Sequence, residues 1–204
     1  MSRGKRRPVA EREDIMAAAT TIGVREGWKA VTIRSVATEL GYTSPLLYEH
    51  FQNKEDLLTE IAADGLRQLK ALLTQDRPSD AHATVRAMIE RYWDFMSDHS
   101  HLYRLMNGMD SAPINKEVLR QSAHSLCEMV AIAVRPLLGK EASDADARIV
   151  ADELWALLHG MATLYLDRAA PFDVARATSA CTKLIRGWNV SSVPVRSVRP
   201  NKSS

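Results

Sequence analysis

The sequence predicts an all-α fold, in which a small three-helix domain precedes a larger helical domain. Apolar residues recur at i, i+3, i+4 and i+7 in every long segment, as they do on one face of a helix. Glycine, proline and capping residues separate these segments, as expected at helix ends. No segment alternates apolar and polar residues in the way that a half-buried strand does.

The first helix is predicted to span residues 13–26 and to end at Gly27. Glycine stops a helix readily because it adopts a left-handed backbone without steric cost. The residues predicted to face the core are Ile15, Ala18, Ala19 and Ile22. Further core residues of this small domain are predicted to be Trp28, Val31, Leu40 and Phe51.

A second helix is predicted to begin after Thr32 and to end at Gly41. The Thr32 hydroxyl can cap the free amides of the first turn. Thr43 or Ser44 is then predicted to cap a third, short helix with Pro45 at its first position, where the missing amide hydrogen costs nothing. The inward face of the second helix consists of Ile33, Val36, Ala37 and Leu40.

The third helix is predicted to be anchored by Leu47 and Phe51, which are four residues apart and can face inward together. Asn53 is predicted to cap the next helix, with Asp56 completing a short capping box. Two short helices joined by a glycine turn form the layout of proteins that insert the second helix into the major groove of DNA. Many enzymes also contain short helices separated by glycine, so the spacing alone leaves both classes open.

A run of specific positions between residues 27 and 58 extends this motif. The positions are Gly27, Thr32, Val36, Ala37, Gly41, the LYEHF run at 47–51 and the KEDLL run at 54–58. They resemble the amino-terminal signature of the TetR family of bacterial transcriptional regulators. The segment WALLHGM at 155–161 resembles, less specifically, a tryptophan and histidine-glycine motif in one subgroup of carboxy-terminal domains. The resemblance implies an all-helical homodimer that represses or occasionally activates transcription and releases DNA when a small molecule binds.

The candidate DNA contacts lie on and around the predicted third helix. Residues at its start can reach base edges, whereas Thr43 and Tyr48 suit phosphates or a thymine methyl group. The resemblance places Tyr48, His50 and Lys54 near the DNA backbone, and Lys54 also lies at the positive end of the next helix dipole. The full set of predicted DNA-binding residues is Thr32, Arg34, Tyr42, Thr43, Ser44, Leu46, Tyr48, His50 and Lys54.

Positive charge is concentrated near the amino terminus. Through Lys54 there are nine Lys and Arg against six Asp and Glu, or +3, and the remaining eighteen against nineteen give −1, for a net +2. An arm with these cations would release counterions near phosphates, so that its binding would weaken as salt rises. A solvated leader without DNA contacts is an equal alternative. The cations of the arm are Arg3, Lys5, Arg6, Arg7 and Arg12.

The rest of the chain is predicted to be a larger helical domain and a tail. Helices are predicted at residues 57–75, 80–98, 102–107, 115–138, 143–168 and 173–188. The predicted domain organisation is a flexible basic arm at 1–12, a helix-turn-helix DNA-binding domain at 13–56, a helical ligand-binding and dimerisation domain at 57–190, and a disordered tail at 191–204.

The last two predicted helices carry wide apolar stripes. One chain has difficulty burying both, so two copies are predicted to pair as a four-helix bundle on a two-fold axis and to recognise a palindromic operator. The alternative is that the stripes close their own domain. Their residues are Val150, Leu154, Leu157, Leu158, Met161, Leu164 and Tyr165, then Val174, Ala177, Cys181, Leu184, Ile185 and Trp188.

A pocket for a small hydrophobic effector is predicted between the DNA-binding domain and the dimer bundle. Its candidate residues are bulky, deformable or carry one polar atom, as in many small-molecule sites. Each of them alone is more often plain core, and His159 can bond a ligand or merely a backbone carbonyl. The candidates are Tyr92, Trp93, Met96, Tyr103, Met106, Met109, Met129, Trp155 and His159.

Other function classes find little support in the sequence. There is no phosphate-binding glycine loop or nucleophile elbow, and His99 and His101 would point to different sides of a helix. No catalysis, cofactor or metal is therefore expected. The two isolated cysteines favour a reducing, cytoplasmic location. No apolar run approaches the roughly 18 residues of a membrane span, so no membrane association is expected. The alternatives are a helical enzyme, a lipid-binding module and a protein that compacts DNA nonspecifically.

Overall fold

The computed structural model describes residues 11–188, so most of the predicted arm and all of the predicted tail lie outside the described residues. Within this range the chain forms α-helices and one 3-10 turn, with no strand. The helices are α1 (Arg12–Glu26), α2 (Ile33–Leu40), α3 (Ser44–Tyr48), α4 (Lys54–Thr74), α5 (Ala81–Asp98), α6 (Ser100–Met106), α7 (Lys116–Val134), α8 (Asp144–Leu166) and α9 (Val174–Gly187). The all-α prediction is confirmed.

The first three helices share a tightly filled core around Trp28. The indole ring lies so close to Gly23 on α1 that a Cβ atom there would come within 2.5 Å of it. Gly41 ends α2 in a left-handed conformation with φ 69°, as the sequence predicts. Leu40 is only half-buried, because it occupies the last turn of α2 at the edge of this core.

The helix caps largely follow the sequence, with one shift in α3. The Thr32 hydroxyl accepts a bond from the Ser35 amide, and the Ser35 hydroxyl oxygen accepts one from the Thr32 amide. Thr43 stands at the N-cap of α3 without a side-chain bond. Ser44 is the first helical residue, so that Pro45 occupies the second position and not the predicted first one.

Helix α4 links the small domain to the larger one and belongs to both cores. The Asn53 side chain accepts a bond from the Asp56 amide, whereas the Asp56 carboxylate accepts from the Gln52 amide, one residue earlier than a capping box requires. The helix packs against α1 at one end and against α5, α6 and α7 along its length. Near its end Leu73 is buried and Leu72 is half-buried.

The larger domain packs α7 against α8, with α9 covering α5 and α8. Helix α7 ends at Val134, four residues before its predicted end, and continues as a 3-10 turn at Arg135–Leu137 that contains Pro136. Ser143 and Asp146 form the predicted capping box of α8. None of the described helices combines the length and apolar character needed to cross a membrane.

Candidate DNA interface and effector cavity

Two completely buried apolar residues, Leu47 and Phe51, hold helix α3 against the core of the small domain. On its outer side Tyr48 is 56% exposed although it is a large aromatic residue. An exposed aromatic hydroxyl on an immobilised helix is well placed to contact a phosphate or a base. The local pattern that buries two residues four apart therefore also projects Tyr48 outward.

The remaining predicted DNA contacts divide into exposed and half-buried side chains. Thr32, Arg34 and Thr43 are exposed, although both hydrogen-bonding functions of the Thr32 hydroxyl are engaged with Ser35. No carboxylate in the described part of the chain pairs with Arg34. The half-buried members are Tyr42, Ser44, Leu46, His50 and Lys54.

Lys54 is held at the first turn of α4 by a bond from its ammonium group to the Lys29 carbonyl, at 2.9 Å. Partial burial lowers the pKa of Lys54 from its ordinary value. The ammonium group keeps two further N–H donors, and it lies beside the positive end of the α4 dipole. This arrangement can hold a phosphate between a fixed cation and a helix start.

The sequence predicts Arg12 in a flexible arm, but it is the first residue of α1. Its side chain is held by contacts with neighbouring residues. Its guanidinium lies 4.1 Å from the centre of the Phe51 ring and donates to the His50 carbonyl at 2.6 Å. It also lies 3.6 Å from the Glu60 carboxylate on α4. The prediction treated Arg12 only as a charge, because its contacts depend on residues distant in sequence.

Two carboxylates near α3 differ in their surroundings. Glu39 on α2 pairs with Arg25 at 3.1 Å, and hydrogen bonds from that arginine lower the pKa of Glu39. Glu49 is exposed and has no ion pair in the described part of the chain. Glu49 is therefore the carboxylate near α3 whose charge would face an approaching phosphate.

An apolar cavity of about 40 Å³ lies inside the larger domain, among α4, α5, α7 and α8. Of the residues predicted for the effector pocket, Tyr92 and Trp155 line it. Its other lining residues come from apolar stripes that the sequence does not distinguish from ordinary core. They are Leu73, Val85, Met88, Ile89, Leu126, Cys127, Val130, Ala151, Leu154 and Leu158.

A hydrogen-bonded chain of three side chains adjoins this cavity. The hydroxyls of Tyr92 and Tyr103 are 2.7 Å apart, and the Tyr103 hydroxyl is 2.7 Å from Nδ1 of His159. Burial raises the pKa of Tyr103 to about 12 and lowers the pKa of His159, so neutral forms are favoured. Nδ1 of His159 thus meets a tyrosine hydroxyl, which is neither of the two partners that the sequence leaves open, a ligand or a backbone carbonyl.

Trp155 connects this chain to the cavity wall. Its ring stacks on His159 with centroids 6.5 Å apart and meets Tyr92 edge-on at 5.9 Å. A molecule entering the cavity would therefore contact two members of one aromatic and hydrogen-bonded cluster.

Most other predicted pocket residues lie away from the cavity. Trp93 packs on Tyr165 with ring centroids 5.5 Å apart. Met106 lies against Gly65, where an added Cβ would be 2.7 Å from its sulfur. Met96 and Met129 are buried and Met109 is half-buried, all three packing in the core without lining the cavity.

Several residues of the apolar stripes predicted to pair two copies are already buried within a single chain. Leu154 and Leu158 line the cavity, and Val150 and Met161 are buried, as are the α9 residues Ala177, Cys181 and Ile185. An outer strip remains uncovered. It consists of Leu157, Leu164, Tyr165, Val174, Leu184 and Trp188, which are half-buried or exposed.

Two models of one protein family match most of the chain. The model described as "Bacterial regulatory proteins, tetR family" matches residues 15–61, which include α2, α3 and the start of α4. The model described as "Tetracyclin repressor-like, C-terminal domain" matches residues 85–185. The chain belongs to the TetR family of bacterial transcriptional regulators.

Individual relatives agree with TetR membership. The HTH-type transcriptional activator FasR of Mycolicibacterium smegmatis is 27% identical over 203 residues, which are 95% of this chain and 89% of FasR. A structure of a protein with unknown function from Rhodococcus sp. RHA1 has a TM-score of 0.74 and 24% identity, covering 91% of this chain and 98% of that one. The TetR-family regulator PfmR of Thermus thermophilus has a TM-score of 0.59 and 20% identity, covering 86% of this chain and 98% of PfmR.

Proposed function

We propose that this TetR-family regulator acts as a repressor that leaves a palindromic operator when a small hydrophobic effector enters the cavity. The observation that carries the DNA-binding part is the rigid seating of α3, which buries Leu47 and Phe51 and projects Tyr48. Tyr48, Arg34 and Lys54 would contact the DNA backbone, while Tyr42, Ser44 and Leu46 would face base edges. Thr32, Thr43 and His50 complete the proposed interface. The name of FasR favours activation as the alternative outcome of the same DNA binding.

A homodimer through α8 and α9 would supply the two-fold symmetry of the operator. The uncovered strip includes Leu157 and Leu164 on α8 and Leu184 on α9. Gly160 lies between the two α8 residues with open space around it, so another helix can approach closely there. Pairing would bring two copies of α3 to successive major grooves, about 34 Å apart.

The proposed route of induction runs through α6. Tyr103 on α6 bonds Tyr92 on the cavity wall, while the backbone carbonyl of His101, also on α6, accepts a bond from the Trp28 indole at 3.0 Å. Met106 packs α6 directly on Gly65 of α4. An effector that displaces Tyr92 would therefore shift α6 and with it the small domain. Release requires that the effector bind this shifted form more tightly than the form that fits DNA.

Selection of DNA fragments from a random pool, followed by fluorescence anisotropy, tests the proposal. A specific regulator should prefer one palindrome over random DNA by at least about a thousandfold, whereas a compacting protein would show no preference. Compounds are then screened for release of the selected fragment. A helical enzyme or lipid-binding module would ignore every fragment even at low salt, and that result would reject the proposal.

A further inference from the structure

A groove with a cationic rim lies between α5 and α9, on the outside of the larger domain. It has a volume of about 120 Å³. Its rim carries His82 and Arg86 from α5 and Arg186 from α9. Its apolar surface is formed by Val85, Ile89, Leu137 and Ile185. The groove is therefore amphipathic, with cations above an apolar floor.

The floor of this groove is also a wall of the effector cavity. Val85 and Ile89, one turn apart on α5, line both spaces and are 5% and 4% exposed. Two aliphatic side chains thus separate the cationic rim from the apolar interior. A hydrocarbon chain that passed between them would reach the cavity and keep its polar end in the groove.

The two rim arginines have no ion pair, unlike several other arginines of the domain. Arg104 and Arg148 lie within 3 Å of a carboxylate, whereas no carboxylate in residues 11–188 lies within 4 Å of Arg86 or Arg186. Glu90 and Lys183 line the wider opening beyond the groove, to which Arg86 and Arg186 also belong. The Thr182 hydroxyl already donates to the Thr178 carbonyl, so the arginines are the main donors available.

We propose that Arg86 and Arg186 bind the anionic head of an amphiphile whose hydrocarbon chain enters the cavity past Val85 and Ile89. The head is a carboxylate or a phosphate, because planar guanidinium groups bind either with paired hydrogen bonds. The inference rests on the proposed function and narrows its hydrophobic effector to this class. The cavity is far below the ~300 Å³ of typical ligand pockets, so the chain must move Val85, Ile89 and their neighbours apart.

The groove stays accessible in the proposed dimer. Thr178, Thr182 and Arg186 follow one another every four residues on α9 and line the side that faces α5. Leu184 is two residues from Arg186, about 200° around the helix at about 100° per residue. Leu184 and the groove therefore lie on opposite sides of α9, whereas Val174, in the first turn of α9, borders the wider opening.

Calorimetric titration of the full chain with decanoate, decyl phosphate and 1-decanol tests the site. R86Q and R186Q should each weaken decanoate binding about tenfold and leave 1-decanol binding unchanged. R77Q, at an exposed arginine outside the groove, is the matched control. Comparison of decanoate with decyl phosphate identifies the preferred head. Loss of 1-decanol binding in step with decanoate, or unchanged decanoate binding in both variants, would overturn the role of the arginines.

The length of the hydrocarbon chain tests whether the amphiphile enters the cavity, and this test needs no protein variant. Affinity should rise about fourfold per added methylene from hexanoate to decanoate if the chain enters the cavity. Affinity independent of length would overturn the proposed path. All variants keep α3, so operator anisotropy without ligand should be unchanged. Amphiphile binding by a protein that ignores DNA would reject the proposed function alone, whereas operator binding without amphiphile binding would reject this inference alone.

Discussion

The small domain and the larger domain of this TetR regulator are packed in opposite ways. Around Trp28 the interior is filled so closely that a Cβ atom at Gly23 would collide with the indole ring. Around Trp155 the interior leaves a cavity bounded by apolar side chains and a buried hydrogen-bonded chain. The small domain is therefore packed so that it keeps one conformation, whereas the larger domain has space for a small molecule. Four measurements test this difference in packing.

The largest effect is expected from Trp28→Ala, which should lower the free energy of unfolding by about 4 kcal/mol. The substitution empties the centre of the small domain and removes the bond to the His101 carbonyl. Trp155→Ala should cost about 2 kcal/mol, because Trp155 is half-buried and already borders empty space. Urea unfolding followed by circular dichroism measures both. Equal losses would show that the two interiors are packed alike.

Tyr103→Phe should destabilise the protein by about 2 kcal/mol, because it removes the shared partner of Tyr92 and His159 and leaves buried polar atoms unpaired. Tyr48→Phe is the matched control, since the Tyr48 side chain is 56% exposed. Thermal unfolding measures the difference. No change in Tyr103→Phe would mean that water replaces the missing hydroxyl and that the cluster does not hold α6 in place.

Tyr48→Ala should weaken DNA binding about tenfold, or about 1.4 kcal/mol, on specific and scrambled DNA alike. Tyr48 is exposed, so the free energy of unfolding should stay the same. Ser44→Ala should change sequence preference instead of overall affinity. Anisotropy titrations on both kinds of DNA check this division, and an equal loss for the two variants on both would refute it.

The smallest effect concerns the pH dependence of stability. Burial lowers the pKa of His159 below its ordinary 6.5, so the unfolded chain takes up a proton at this position more readily than the folded chain. The contribution of His159 is therefore complete above about pH 6.5 and is lost as the pH falls through the lower folded pKa. His159→Asn should make the acid limb of the stability curve shallower. An acid limb of the same steepness in His159→Asn would contradict this contribution.

Local signals in the sequence predict the small domain well. The capping pair of Thr32 and Ser35 and the stop at Gly41 involve residues at most a few positions apart. The burial of Leu47 and Phe51 follows from helical spacing alone. These features determine where α3 starts and which side it exposes, so the layout of the small domain could be derived before any coordinates.

The cavity proposed for the effector could not be derived in the same way. Tyr103 and His159 are 56 residues apart, and Trp28 and His101 are 73 residues apart. Apolar periodicity shows that Leu154 and Leu158 face inward, but it does not show whether they meet a neighbour, a second copy or a cavity. The groove at Arg86 and Arg186 likewise depends on how α5 and α9 come together.

The bond from Trp28 to α6 has an evolutionary consequence, because its acceptor is a backbone carbonyl and not a side chain. Residue 101 can change to almost any amino acid without cutting this tie, whereas position 28 admits few replacements. Among related regulators, the residue at position 101 should therefore vary, whereas position 28 should keep a tryptophan. Under the proposed function, new effectors would be acquired by altering the residues around Tyr92, while the contact between α6 and the small domain stays intact.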